Sequence, residues 1–436
     1  MSAFLGGVPS GPPTAAALSL SIAEAINRAL AHNLGLLLTE DGVERARGAR
    51  WRALGDLMPN INGRISETSQ QVNLRAFGFS LPSGFPGVVG PYQIVDARVY
   101  LSQAVLDLRA TNEARAETHN VAAARYDLKT ARDLVVLVAA DAYSQAVAAA
   151  ARTEVARAQV ETAEALYTQT ADMKQNGLVA NIEVLRAEVQ LETERQRVTA
   201  ARNQFEKAKL QLARLIGLPL GQAVTLTDQI SSVPLPEMTL DQAVERAYRT
   251  RPDYQAALER IHAAEAIRRA VVGDTLPSVR VNASYGDIGV SLGESHGTFS
   301  VVGAVDVPIF QGGRTRGRLL EADTDLRSRR AEAEDLKASI YYEVRTALLD
   351  LQTGNEQLQV ATRVRELAAN QLTEARDRFA AGVSSNIEVI QAQGAVTQAN
   401  DQFISALYAI NVAKGGLIHA IGIAEETARQ NLGGVR

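Results

Sequence analysis

The chain has 436 residues, 22% of them charged, a net charge of -4 and no cysteine. That balance excludes the basic footprint of a nucleic-acid binder, and the missing thiol excludes disulfides, thiolate nucleophiles and Cys-ligated metals. Aromatic residues make up only 5%, and much of the 46% apolar fraction is alanine, a composition suited to long packed helices rather than a compact globular core.

Taken in chain order, residues 1–17 read as an extended leader containing Pro9, Pro12 and Pro13. Met1 to Leu5 lacks the basic flank and long apolar core of a signal peptide, so the start reads as mature or trimmed. Residues 18–58 are predicted to be helical. From Pro59 the period changes to two: Ile61, Gly63 and Ile65 alternate with Asn62, Arg64 and Ser66, and Val99 and Leu101 flank Tyr100. This alternation predicts a β-hairpin over 59–103 with one apolar and one polar face. The Gly/Pro-rich stretch Gly78 to Pro91 is its loop.

Residues 104–176 contain neither Gly nor Pro. As continuous helix they would reach about 110 Å at roughly 1.5 Å per residue. Residues 178–216 are a second uninterrupted stretch after Gly177, with apolar residues at helical spacing (Leu134, Val138 and Ala142; Leu185 and Val189). The expected long-helix region is therefore 104–217 with a tip near 177. A connecting segment, 218–237, precedes a second helical region at 238–276.

A second hairpin is expected over 277–310. Val279, Val281, Ala283 and Tyr285 alternate with Arg280, Asn282 and Ser284, and Val301, Gly303, Val305 and Val307 form the returning run. Long helices follow over 311–421 with a tip near 382, where Gly317, Gly354 and Gly394 are read as interruptions, and residues 422–436 form a tail. No run approaches the roughly 20 apolar residues of a membrane-spanning helix; the best, Leu134 to Ala140, is ended by Asp141. That leaves a β-barrel open, since barrel segments are only about ten alternating residues each.

The two halves are a duplication. Shifting Leu20–Asn33 by 218 gives Met238–Arg251, with Ala25 on Ala243, Ile26 on Val244 and Ala29 on Ala247. Beyond the loop the offset is 204, so the first half carries about 14 extra residues there. At offset 205, Gly177 to Val184 meets Gly382 to Val389, with Asn-Ile-Glu-Val identical in both. Asn181 and Asn386 are candidate helix N-caps with an acid in the first turn. Each half offers two strands. About eight strands are needed to enclose even a filled interior, and open edges in lipid cost several kcal/mol per unpaired group. If these strands cross a membrane, the chain must therefore oligomerise. Two soluble hairpins capping a helical rod are the alternative.

The ordered landmarks resemble the TolC-type outer-membrane efflux proteins. They are Leu-x-x-A-x-A-[IL]-x-x-A-L-x-x-N (Leu20 to Asn33), the Pro-led strands at Pro59 and Pro277, Pro-[IL]-Phe-x-Gly-Gly (Pro308 to Gly313), and the two glycine tips. The resemblance spans roughly residues 18–423. It implies a mainly α chain with β: a homotrimer whose three chains supply a 12-stranded outer-membrane β-barrel, four strands each, continued by a long periplasmic α-helical barrel. Residues 218–237 and 422–436 would contribute to an equatorial girdle. The function implied is a passive outer-membrane channel of a tripartite efflux or type I secretion system in a Gram-negative bacterium. Its partners would be a periplasmic adaptor and an inner-membrane RND, ABC or MFS pump, with no cofactor.

The family's first acidic constriction ring falls on Glu388, and the second position is Gln391. Adaptor contacts transfer to Gly177, Leu178, Val179, Gly382, Val383 and Ser384. The acid of the family's latch falls on Glu183, but its arginine position is Ser384; Arg186 lies one turn from Glu183. The competing reading, a periplasmic coiled-coil adaptor or scaffold, would have one helical hairpin between β-rich halves and no duplication. Gly289 to Gly293 matches G-x-S-x-G but lies between two strands, where a turn is expected rather than a nucleophile elbow. The five histidines (His32, His119, His262, His296 and His419) show no metal-ligand spacing in sequence.

Overall fold

The structure is a computed structural model that describes residues 2–78, 82, 84–229 and 238–426. The parts of the expected 218–237 segment and of the 422–436 tail beyond those limits lie outside the described residues. In order, the elements are β1 (Leu18–Leu20), α1 (Ile22–His32), α2 (Leu34–Gly55), β2 (Asn60–Asn73), β3 (Val88–Leu106), α3 (Leu108–Gln175), α4 (Asn181–Leu215), β4 (Val224–Leu226), α5 (Leu240–Thr250), α6 (Pro252–Gly273), β5 (Ser278–Gly289), β6 (Ser295–Asp306), α7 (Arg314–Ala380) and α8 (Asn386–Ala420). The chain divides into two compact units, one of Met1–Gly42, Arg125–Ala256 and Glu334–Arg436, the other of Val43–Ala124 and Ala257–Ala333.

The first unit is helical, and the duplication sets its local structure. Ser21 caps α1 by accepting from the Glu24 N–H at 3.3 Å. Its counterpart at offset 218, Thr239, caps α5 in a reciprocal capping box with Gln242. Both helices then break at the matched positions Asn33 and Arg251, each in extended conformation. Asn33 restarts the helix itself: its Oδ1 accepts from the Gly35 and Leu36 N–H groups at 3.0 and 3.3 Å. At Arg251 the following proline enforces the break, because the residue before proline is pushed out of the α region and proline suits the first helical position. The buried Arg251 guanidinium is held by Asp253 at 2.6 Å and Glu343 at 2.5 Å.

The core joins Leu20, Ile26 and Leu36 to Val135, Ala139 and Tyr143 of α3, Leu212 of α4, Ile340 and Val344 of α7, and Leu417 and Ile418 of α8. The Tyr143 hydroxyl donates to the Leu20 carbonyl at 2.9 Å and accepts from the Asp228 N–H at 3.3 Å. It thereby ties α3 to the parallel β1–β4 pair. Arg132 holds Glu425 at 2.9 and 2.6 Å. Beside it, buried Asp133 accepts from the Glu425 N–H at 3.1 Å.

Two sequence expectations need correction here. Helices α3 and α8 each contain an 18-residue window apolar enough to cross a membrane, with half of it buried inside the chain. Counting unbroken apolar runs missed these windows because polar residues such as Asp141 are spaced among alanines that pack in the core. Gly317, Gly354 and Gly394 do not interrupt their helices, since α7 and α8 run through all three. At Gly354 a Cβ would lie 3.4 Å from the Ile410 Cα, so α7 and α8 approach closely there.

The second unit is built on one four-stranded antiparallel sheet in the order β2-β3-β5-β6. The two expected hairpins thus merge through β3–β5 pairing, from Val95↔Gly289 to Leu106↔Val279. Residues paired directly across strands share a face. Ile61, Leu101, Ala283 and Val301 form one row, and Gly63, Val99, Tyr285 and Phe299 the next. The reverse face carries Asn62, Tyr100, Ser284 and Ser300, then Arg64, Arg98, Gly286 and Thr298. Arg98 pairs with Asp96 on that polar face. Strands β2 and β6 are the two edges.

Gly289 ends β5, and Leu292–Glu294 is a short 3-10 turn leading into β6, so the G-x-S-x-G pattern is a hairpin turn. His119 and His262, far apart in sequence, come together with ring centroids 5.4 Å apart, and His119 Nδ1 lies 2.7 Å from Glu259 Oε2. Among the described residues, no group of three or more His, Asp or Glu side chains is placed to hold a metal.

Candidate functional site

The identical tetrapeptides bring two helix-turn-helix tips together in the first unit. Two residues past the ends of α3 and α7 stand Gly177, φ +73°, and Gly382, φ +71°. Each glycine closes a left-handed helix cap. The Gly177 N–H donates to the Lys174 carbonyl at 2.9 Å and the Leu178 N–H to the Met173 carbonyl at 2.8 Å. Gly382 and Val383 repeat the pair on Phe379 and Arg378 at 3.0 and 3.1 Å. No atom would obstruct a Cβ at either glycine. The positive φ is therefore what requires glycine here.

Leu178 and Val383 are 70% and 69% exposed at the turn surfaces, so the tips present apolar side chains to solvent. The expected caps are corrected: Ala180 and Ser385 occupy the N-cap positions, neither with a side-chain cap bond, and the two asparagines are the first helical residues. Their side chains do other work. Asn181 Oδ1 accepts from Lys174 Nζ at 2.6 Å, bracing its own turn. Asn386, fully buried, donates from Nδ2 to the Glu183 carbonyl at 2.7 Å, bracing α8 against α4.

Of the expected constriction residues, Glu183 pairs with Arg186 at 2.8 Å on α4. Ser384 donates to the Ser385 carbonyl at 3.3 Å. Glu388 and Gln391 stand exposed on α8. Glu388 Oε2 is 3.8 Å from Arg378 Nε, with both side chains about half exposed. Such a pair contributes about 0–1 kcal/mol. Arg378 was invisible to the sequence comparison because its counterpart at offset 205 is Met173.

Also missed were two buried polar side chains, Gln393 on α8 and Glu194 on α4. Gln393 lies seven residues after Asn386 and is 2% exposed, and neither of its amide atoms has a hydrogen-bond partner. Glu194, equally buried, accepts from Gln190 at 2.7 Å and Arg197 at 2.6 Å through Oε1, leaving Oε2 unpartnered. The seven-residue spacings Glu183–Gln190–Arg197 and Asn386–Gln393 were the available signal. Leu166, Ala187, Leu372, Phe379, Val389 and Val396 close the tip core.

Nothing in this arrangement is a nucleophile–base pair or a cofactor cradle. It is a mechanical junction with charge at its end and apolar turns on its surface. A profile of the outer membrane efflux protein family matches residues 25–218 and 243–423. The chain belongs to that family, whose members are transport conduits of the outer membrane rather than enzymes.

The toluene efflux pump outer membrane protein TtgF of Pseudomonas putida is 26% identical over 393 residues, covering 88% of this chain and 79% of that protein. The alignment with the pyoverdine export outer membrane protein OpmQ, also of Pseudomonas putida, is 22% identical over 289 residues and covers 64% of this chain and 60% of that protein. Among solved structures, the outer membrane protein VceC of Vibrio cholerae superposes with a TM-score of 0.78 at 18% identity, covering 92% of this chain and 96% of that one. The fold is that of an outer-membrane efflux duct.

Proposed function

We propose that three copies of this chain close one 12-stranded cylinder in the outer membrane and that their helices continue it as a periplasmic duct, shut at the tips until an adaptor and an inner-membrane pump engage it. One observation carries this reading: the sheet exposes two neighbouring apolar rows, Ile61–Leu101–Ala283–Val301 and Gly63–Val99–Tyr285–Phe299, on one face and sets polar rows behind them on the other. Tyr285 is 71% exposed, Phe299 80%, Ile65 80% and Val301 67%, all on the same side. Burying such a side chain is worth roughly 1.5–3 kcal/mol, and a soluble protein rarely leaves so large a patch in water. Lipid on that face and water on the Arg64–Arg98 face is the alternation of a transmembrane barrel. Edges β2 and β6 find partners only in neighbouring copies, since a sheet edge in lipid leaves its N–H and C=O groups unpaired.

At the tips, the Glu388 side chains of three copies would face one axis. Like charges there repel by a few kcal/mol per close pair at an effective dielectric near 20, less with distance and salt. They would favour cations and hinder anions, with Gln391 adding no charge. Gly177, Leu178, Val179, Gly382, Val383 and Ser384 offer the adaptor surface. Opening parts α4 from α8, whose first turns are joined by the Asn386–Glu183 bond and whose buried Gln393 and Glu194 carry unpartnered atoms. The adaptor supplies the differential contacts that a conformational shift requires. The duct is passive, so cargo choice rests with the pump; toluene and pyoverdine appear in the relatives' names only.

The test is reconstitution. Protein extracted from the outer-membrane fraction should conduct ions in a planar bilayer in small, cation-preferring steps. Recovery in the soluble periplasmic fraction with no conductance would overturn the proposal.

A further inference from the structure

His119 and His262 have no part in the strand pairing, the tips or the apolar cores. His119 stands near the start of α3 and His262 near the middle of α6, both within the second unit. Their ring centroids are 5.4 Å apart with planes tilted by 42°. The side chains are 35% and 55% exposed, so solvent reaches the pair. Two imidazoles bound to one ion at about 2.0–2.1 Å have ring centres within roughly 6 Å of each other, and this pair already meets that reach.

The carboxylates beside the rings set their chemistry. His119 Nδ1 is 2.7 Å from Glu259 Oε2. An ionised carboxylate only accepts, so Nδ1 carries the proton and Nε2 keeps its lone pair. A ring that gives one N–H to a carboxylate is held in orientation and made a better ligand through its other nitrogen. His262 has the same orientation with a longer gap, its Nδ1 lying 3.7 Å from Glu265 Oε2. Neither Nε2 has a hydrogen-bond partner among the described residues. Arg330 holds Glu265 at 2.8 Å, so with both rings neutral the Glu259, Glu265 and Arg330 charges leave a net negative charge for a cation to meet.

We propose that His119 and His262 are the two protein ligands of a divalent transition-metal ion that clasps α3 to α6, each through Nε2, with Glu259 as the outer-shell partner of His119. Among the described residues no third His, Asp or Glu side chain joins them as a ligand, so water completes the shell. Imidazole suits copper, nickel and zinc rather than magnesium or calcium, and the general order of affinities puts copper(II) first. The ligands sit on two helices far apart in sequence, so only the folded chain holds them together and the bound ion stabilises it. Such a clasp is independent of whether the sheet lies in lipid.

The full chain, purified in detergent without a histidine tag, is titrated with copper(II) chloride. The expected result is one tightly held ion per chain, an electron paramagnetic resonance spectrum showing two imidazole nitrogens, and a higher melting temperature. Glu259→Ala should weaken binding about 10–100-fold. His119→Gln and His262→Gln should each weaken it at least as much and leave a single nitrogen in the spectrum. His32, His296 and His419 remain in every variant, so adventitious copper on those rings would survive the substitutions. A two-nitrogen spectrum that persists in either histidine variant overturns the site, as does a parent chain that shows no saturable uptake. If His262→Gln lowers the metal-free melting temperature while the parent takes up no copper, the two rings are a packing contact and the clasp is overturned.

Discussion

Asn386 of α8 donates its side-chain N–H to the backbone carbonyl of Glu183 on α4 at 2.7 Å, linking the first residue of one Asn-Ile-Glu-Val copy to the third residue of the other. The reciprocal bond is not made: Asn181 is taken by Lys174 of its own tip. The duplication therefore supplies two identical segments that the fold uses differently, one as a cross-helix brace and one as a local one.

That asymmetry separates two substitutions of the same residue type. Asn386→Ala removes this cross-helix bond from a fully buried side chain and should cost about 1–3 kcal/mol at the tip. Asn181→Ala, at an exposed position, should cost under about 0.5 kcal/mol. Hydrogen exchange of the α4 and α8 first turns reads the difference directly: only the Asn386 variant should lose protection there.

Gln393 gives the opposite sign. Its two amide atoms are buried without partners, so Gln393→Leu removes an unmet polar group while keeping similar volume. The closed tip should gain about 1–3 kcal/mol. Single-channel recording should show fewer and shorter openings than in the parent. More frequent openings would mean that α4 and α8 are not the elements that part.

Burial pushes the Asp133 carboxyl up to about 6 from its usual 3.8, partly countered by the bond from the Glu425 N–H. The sign follows from proton linkage. Between about pH 4 and 6 the folded chain holds a proton at Asp133 that the unfolded chain has lost, so this group's contribution falls as pH rises through that window. Burial lowers His419, which pulls the other way at its upper end. The difference between parent and Asp133→Asn isolates the carboxylate, because the amide oxygen can still accept from Glu425. The stability advantage of Asp133→Asn should grow from pH 4 to 6 and level off above, as read from melting temperature against pH.

Glu388→Ala should widen the resting conductance and weaken cation preference, with little effect on stability because the Arg378–Glu388 pair is long and exposed. Reversal potentials in a salt gradient measure this. An unchanged potential would remove Glu388 from the constriction.

The sheet was legible because its faces sit in different surroundings: Ile61, Gly63 and Ile65 or Val281, Ala283 and Tyr285 must alternate with polar residues whatever their partners are. Their partners were not legible. Pairing of Val99 with Tyr285 joins residues separated by two long helices and a connector, and no local propensity encodes that. Gly354 looked like a break because an isolated helix loses about 1 kcal/mol at glycine. In the fold, its missing side chain lets the backbone of Ile410 approach. At the tips, the glycines and the repeated tetrapeptide marked the place. Arg378, Gln393 and Glu194 lack counterparts in the repeat, and only packing brought them to it.

The central claim is that one chain supplies a third of a closed cylinder, and counting chains tests it most directly. Native mass spectrometry of the particle extracted from the outer membrane in mild detergent should give a mass of three chains that persists until the detergent is made denaturing. A single-chain mass under the same conditions, with β2 and β6 amides exchanging freely, would contradict it.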